Sequence, residues 1–292
     1  MFSARCRPSS ITPSPTKELL MPLFSTNQWA LVLGGSSGFG LATAKKLASQ
    51  GLSVCVVHRD RRGSMERIEK EFEVVRAFGH GFLTFNLDAL SPDGIAETVA
   101  GLKAAGAAGH LRVLLHSIAF GNLKPIAPVK GEELKAVYGE TLIEDEDMAR
   151  TVYSMGTSLL TWVQAAFKAG LFADDARVFG LTSEGNEVAW RGYAAVSAAK
   201  TALEAVSRSI AVEFAPYGIR SNIIQAGVTD TPALNAIPGA DGMKEFAKAR
   251  NPFGRLTLPE DVAGVIALLS QDDAAWVNGT IIRVDGGERI AG

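Results

Sequence analysis

The chain has 292 residues, 47% of them hydrophobic and 21% charged, and a net charge of −2. That length and apolar content can bury one large α/β core, the near-neutral charge gives no sign of nucleic-acid binding, and no apolar run reaches the length of a membrane span. Cys6 and Cys55 stand far apart, which argues against a disulfide framework and for a reducing, cytoplasmic setting.

Residues 1–25 read as an extension. Met1 to Thr16 is rich in Ser and Pro, carries Arg5 and Arg7, and has no acid before Glu18. A targeting peptide shares that acid-poor composition, but Pro8, Pro13 and Pro15 oppose an amphipathic helix. The expectation is a disordered tail, or a stretch upstream of a natural start at Met21. Residues 26–292 then form a single domain. Trp29 to Leu33 is an apolar strand closed by Gly34-Gly35, with a helical pattern from there to Gln50. Ser53 to Val57 repeats the strand signal and holds Cys55 as a buried free thiol, and Ser64 to Ala77 is an amphipathic helix. Phe82–Phe85, Val113–His116, Arg177–Thr182, Arg220–Ile224 and Ile281–Val284 read as further strands, most of them separated by helical patterns. Apolar strands alternating with helices imply a parallel sheet covered on both faces, a doubly wound, Rossmann-type α/β architecture that binds ligands at the carboxyl ends of its strands. Two long stretches follow strand ends, Gly121 to Arg150 and Thr229 to Pro252. The second, residues 229–252, is rich in Pro, Gly and Ala and is expected to be a flexible substrate lid; an unpatterned surface loop is the alternative.

Gly34-Gly35-Ser36-Ser37-Gly38-Phe39-Gly40 sits between a strand and a helix, where backbone amides can hold a pyrophosphate and glycines let it approach. Downstream, Tyr193 and Lys200 are separated by six residues. Four-residue spacing would place an ammonium beside the phenol within one turn and lower its pKa. Here the position four before Lys200 is Val196, which has no acid function. A seven-residue step is close to two turns, so Tyr193 shares the face of Lys200 but lies roughly 10 Å nearer the helix start. Packing against Trp190 is the plainer reading of Tyr193. His58, His80, His110 and His116 show no metal-ligand spacing, and His116 reads as a packed strand-end residue.

On these residues the chain, from about Trp29 onward, resembles the short-chain dehydrogenase/reductase family. Gly34, Gly38 and Gly40 match its glycine pattern, with Leu33 in place of the usual Thr. The resemblance implies a nicotinamide cofactor. Ser36, Ser37 and Phe39 join the glycines around its phosphates, and Ser117, Ile118 and Ala119 of His116-Ser117-Ile118-Ala119 line its path. Gly227, Val228, Thr229 and Thr231 flank the nicotinamide and pyrophosphate, and Asp88-Ala89 contacts the adenine. Asp88 has a second reading as a turn residue before Pro92. His58-Arg59-Asp60-Arg61-Arg62 ends the second strand; Arg59 there favours the 2′-phosphate of NADPH, while Asp60 leaves NADH open. The Tyr193–Lys200 spacing, the His-Ser-Ile-Ala run and Met155 where the family's catalytic Asn stands together look like the enoyl-acyl-carrier-protein reductase branch. Ser183 departs from that branch, which places a second Tyr there, and matches the catalytic Ser of the carbonyl reductases instead.

The implied activity is reduction of a trans-2-enoyl thioester in fatty acid synthesis, with Tyr193, Lys200 and Ser183 catalytic. A 3-ketoacyl or dienoyl-thioester reductase is the alternative, and a non-catalytic NADP(H) sensor a remote one. Acyl carrier protein or coenzyme A would carry the substrate, and subunits would pair through Ala194–Phe214 in a homotetramer. Losing the second aromatic wall at Ser183, under a flexible lid, implies resistance to diphenyl-ether inhibitors such as triclosan.

Overall fold

The computed structural model describes residues 23–25 and 27–291. Seven strands form one parallel sheet: β1 (Trp29–Leu33), β2 (Ser53–His58), β3 (Phe82–Asn86), β4 (Leu111–His116), β5 (Phe172–Thr182), β6 (Ile219–Ala226) and β7 (Ile281–Val284). Their order is β3-β2-β1-β4-β5-β6-β7. The order reverses between β1 and β4, which pair in parallel from Trp29–Leu111 to Leu33–His116. That reversal opens a crevice at the carboxyl ends of the strands, the place where doubly wound sheets bind ligands.

The ten α-helices among the described residues are α1 (Gly38–Ser49), α2 (Met65–Arg76), α3 (Pro92–Ala104), α4 (Glu132–Tyr138), α5 (Asp145–Val152), α6 (Ser158–Lys168), α7 (Ala194–Glu213), α8 (Pro232–Asn235), α9 (Ala240–Arg250) and α10 (Pro259–Leu269). Side chains alternate across each strand, so β1 sends Ala30 and Val32 to one core and Leu31 and Leu33 to the other. The first core packs under α1, α2 and α10 through Leu47, Phe72 and Ile266. The second packs under α3, α6 and α7 through Leu102, Trp162 and Leu203. Cys55 is a buried free thiol in that second core. None of the described helices is long and apolar enough to cross a membrane.

Most of the expected extension lies outside the described residues. Phe24, assigned to it, is instead buried in the first core, and its amide donates to Gln50 O. The strands fall where the apolar runs place them; β2, β3 and β6 each run one or two residues past the predicted bounds, and two others start earlier than expected. β4 begins at Leu111 rather than Val113, and β5 begins at Phe172, five residues before Arg177.

A three-arginine cluster holds the amino-terminal ends of β4, β5 and β6. Asp175 bonds Arg112, Arg177 and Arg220, and Arg112 and Arg177 are almost fully buried. The Arg112 guanidinium also donates to Ser270 O and to Asp272, and that of Arg177 to Leu269 O and Gln271 O, which ties the end of α10 to the sheet. Burial works to raise the Asp175 pKa, but the three guanidiniums outweigh it and hold the carboxyl below its ordinary value.

Candidate active site

A cavity of about 290 Å³ opens at the strand ends, between the glycine loop, the turn after β5, the start of α7 and the segment after β6. The glycine loop fits so tightly that two of its glycines admit no side chain. Gly34 has φ +83°, and a Cβ there would lie 2.5 Å from Ser117 O; a Cβ on Gly40 would lie 2.2 Å from Gly34 O. The loop is thereby pressed against the end of β4 and feeds straight into α1. No acid stands in the first turn of α1, and Ser37 at its N-cap uses its side chain for no capping bond. Free amides at a helix start, uncountered by acid, suit a phosphate.

Of the residues expected at the cofactor, Gly34, Ser37, Gly38, Phe39, Ser117, Ile118, Ala119, Gly227, Val228, Thr229 and Thr231 line this cavity, as do Ser183, Tyr193 and Lys200. Ser36, Gly40, Arg59, Asp88 and Ala89 do not. Ser36 is buried and Gly40 shapes the loop. Arg59 and Asp88 meet each other at 2.9 Å, both well exposed, and the Arg59 guanidinium lies over the Phe120 ring at 5.1 Å. The Asp88 carboxylate also accepts from Leu90 N, so its turn reading holds as well. Ala89 O accepts from Trp162 Nε1. Asp60, the acid that left NADH open, takes a hydrogen bond from His58 Nδ1 at 2.9 Å. The hydroxyls of Thr229 and Thr231 are engaged locally, Thr229 donating to Gly227 O and Thr231 capping α8 at Leu234 N.

Tyr193 occupies the N-cap position of α7 rather than a turn inside it, with φ −104° and ψ 2°. Its ring meets Trp190 edge-on at 5.4 Å, and Gly185 lies so close to it that a Cβ would come within 2.4 Å of Cε1. Burial pushes the phenol above its ordinary pKa, against a smaller pull from the neighbouring Ser183 hydroxyl. Ser183 Oγ is buried and, apart from the adjacent Tyr193 phenol, has no polar partner among the described residues. Lys200, also buried, is brought down to about 8 by desolvation, with Glu204 opposing the fall. Its ammonium has no hydrogen-bond or ion-pair partner among the described residues. A neutral phenol, its neighbouring hydroxyl and an unpaired lysine therefore face one cavity, and such groups fit a polar ligand in it.

Val196 and Met155 pack with Tyr193 and Ala199 in a small apolar cluster beside them. Met155 sits in a π turn, Tyr153–Thr157, that joins α5 to α6. Gly156 in that turn lets α7 approach, since a Cβ there would lie 2.6 Å from Ala199 O. His116 behaves as a packed strand-end residue. Its Nε2 lies 2.8 Å from Ser158 Oγ, and burial first, then the Lys200 charge, lowers it to about 3.

Several residues of the site were not anticipated. Glu204, four positions after Lys200, accepts from Thr182 Oγ1 at 2.8 Å and from Asn186, and so ties α7 to the turn that carries Ser183. Its i+4 spacing from Lys200 was a readable signal. Glu184, Gln225 and Glu288 also line the cavity, and nothing local in the sequence marks them. The segment expected as a flexible substrate lid holds α8 and α9, so the unpatterned-loop alternative fails. Leu234, Ile237 and Met243 from it wall the cavity, and its end is anchored where Arg250 pairs with Glu184 and Glu288.

Residues 34–288 match the family model described as enoyl-(acyl carrier protein) reductase. The chain is 34% identical over 259 residues to cis-4-hydroxycyclohexanecarboxylate dehydrogenase of Sinomonas cyclohexanicum, covering 88% of this chain and 95% of that one. It is 29% identical over 269 residues to cyclohexanol dehydrogenase of Acinetobacter sp. strain SE19, covering 92% and 98%. Among solved structures, an enoyl-acyl-carrier-protein reductase of Anaplasma phagocytophilum in complex with NAD superposes with a TM-score of 0.72 at 21% identity, over 91% of this chain and 93% of that one. At that identity the superposition speaks for the fold alone. The chain belongs to the short-chain dehydrogenase/reductase family and is an oxidoreductase.

Proposed function

We propose that the protein reduces the trans-2 double bond of enoyl thioesters with NADPH. The observation that carries this reading is the electrical separation of Tyr193 from Lys200. Burial raises the phenol and the ammonium does not pull it down, so Tyr193 is a neutral hydrogen-bond donor at physiological pH. A neutral donor suits an enolate oxygen, whose charge appears only as the reaction proceeds. The cofactor would rest its pyrophosphate on the Gly34–Gly40 loop and its ribose against Lys200. Arg59, held by an exposed ion pair of little strength, is free to turn to a 2′-phosphate. When bound, the nicotinamide supplies the hydride for the β-carbon. Tyr193 donates a hydrogen bond to the thioester oxygen as the enolate forms, Ser183 either supports that oxygen or orients Tyr193, and the α-carbon then takes a proton by way of solvent or the enol. Leu123, Met155, Trp190, Val196 and Ile237 give the acyl chain an apolar wall.

Acyl carrier protein or coenzyme A would deliver the substrate in the cytoplasm, and the enzyme would act as a homotetramer. Of the small residues on α7, Ala195 and Ala199 are buried within the subunit, which leaves Ala198, Ala202 and Ala205 for subunit contact.

A second reading has its own support. Ser183 beside Tyr193 is the pairing of carbonyl reduction and alcohol oxidation, and the 34% relative is named as a cis-4-hydroxycyclohexanecarboxylate dehydrogenase. The test is one assay in both directions, NADPH oxidation with crotonyl- and acetoacetyl-thioesters and NADP⁺ reduction with hydroxycyclohexanes. Turnover on the enoyl thioester well above the other two is expected. Preference for acetoacetyl-thioester or a cyclic alcohol would overturn the reading.

A further inference from the structure

We infer that Glu288 is a positioning residue that fastens both ends of the lid and sets it in register with the catalytic turn, acting through Arg250 and Val228. The double-glycine turn Gly286-Gly287, with φ +63° and +83°, folds the chain after β7 back under the cavity and leaves Glu288 only 2% exposed. Its carboxylate accepts from the Val228 amide at 3.2 Å, at the root of the lid, and from Arg250 at 3.0 Å, at the last residue of α9. The same Arg250 nitrogen bonds Glu184, the residue after Ser183. Gly227 lies so near that a Cβ there would come within 2.9 Å of Glu288 Oε2. One buried carboxylate thus touches both hinges of the segment 228–250, and through one guanidinium it reaches the turn that carries Ser183.

The physics makes this a latch rather than a surface staple. Glu184, Arg250 and Glu288 are all largely buried. Swinging α9 outward would part Arg250 from two carboxylates and leave charge unpaired in a poorly solvated site, a state far costlier than a broken surface pair. The two acids share one base, so neither is replaceable by the other. Neighbouring bonds reinforce the same joint, Asn251 Nδ2 donating to Asp285 O at 2.9 Å and Gly227 N to Val284 O.

The test combines Glu288→Gln, Arg250→Gln and the double variant. Glu288→Gln keeps one acceptor oxygen for the Val228 amide but removes the charge and turns an NH2 group toward Arg250. Hydrogen exchange across residues 228–250, measured without any substrate, is expected to quicken about tenfold in each single variant while β1 to β6 keep their protection. With the enoyl thioester, KM is expected to rise about tenfold and kcat to change less than about threefold, since closure is lost and the reacting groups stay. The double variant is expected to be no worse than either single one, as coupled partners behave. Unchanged lid exchange, exchange quickened evenly through the whole sheet, or additive effects would each overturn the inference. The KM arm rests on the thioester reading and the exchange arm does not, so a failure of the reading leaves the latch separately decided.

Discussion

Cofactor affinity should fall steeply above pH 8. Lys200 is buried, and desolvation takes its ammonium from the ordinary 10.5 to about 8. With a pKa of about 8 the side chain is roughly 90% charged at pH 7 and about 3% charged at pH 9.5. If the charged form holds the cofactor ribose, the apparent Kd for NADPH rises roughly 30-fold across that interval. A lysine at its ordinary value would leave Kd nearly flat to pH 9.5. The unfolded chain keeps its lysine protonated to about pH 10.4, so between pH 8 and 10 the unfolded state binds more protons. The cofactor-free fold therefore gains stability as pH rises there, up to about 3 kcal/mol, in the interval where cofactor binding weakens. The assay is titration of NADPH fluorescence from pH 7 to 9.5, with Lys200→Met as the reference whose weak binding is independent of pH. A flat wild-type profile, or a Lys200→Met protein as pH-sensitive as the wild type, would refute the reasoning.

Tyr193→Phe should lower kcat by about 10²-fold with little change in the NADPH dissociation constant, because the lost bond forms mainly in the transition state; near-normal turnover on an enoyl thioester would remove Tyr193 from the chemistry. Arg59→Ala should weaken NADPH by about tenfold and NADH hardly at all, and equal effects in fluorescence titrations of the two cofactors would make Arg59 a surface charge. Asp175→Asn leaves two buried guanidiniums poorly paired and should cost roughly 3 kcal/mol of unfolding free energy at pH 7. Asp175 lies below its ordinary pKa in the fold, so its contribution is present above about pH 4 and is lost as the pH falls below that; urea melts should show the variant and wild type converging in acid. A diphenyl ether should inhibit enoyl-thioester reduction weakly and Ser183→Tyr should sensitise it about fivefold by one added ring contact, as read by inhibitor titration with oxidised cofactor present.

The parts of the fold that were legible rest on local pattern. Short apolar runs fixed the seven strands, and the glycine loop declared itself because Gly34 and Gly40 are demanded by contacts a few residues wide. The missed half of β5 shows where that logic stops. Phe172-Ala173-Asp174-Asp175 stands outside the run Arg177–Thr182, since two adjacent acids belong to no apolar run. It is strand because Asp175 meets arginines from β4, β5 and β6, and two of those partners are distant in sequence. The helices and anchors of the lid were hidden for the same reason. Its Pro and Gly content suggests looseness, but Gly239 opens α9 and Arg250 fixes its end to Glu184 and Glu288, 66 and 38 residues away. In the site, Tyr193 and Lys200 were legible through spacing on one segment, and Glu204 lay open to the same reading. Glu184 and Glu288 were not, because only the tertiary fold brings them to the cavity.

Spacing and burial together divide the work of the site. Were the phenol one turn from Lys200, one titration would govern both groups, and the tyrosine would be drawn toward its ionised form. Here the phenol stands at the N-cap of α7, two turns from the lysine, and burial holds its proton on. Lys200 is lowered by burial and answers to Glu204, which opposes its deprotonation while holding the Thr182 and Asn186 side chains of the turn that carries Ser183. The two functions are then set by different neighbours. On the proposed reading, Tyr193 would keep its proton above neutral pH, while the Lys200 charge that would meet the cofactor ribose falls away around pH 8. The alkaline limit of activity should therefore appear in cofactor affinity before it appears in kcat, an order that a site with the ammonium beside the phenol could not produce.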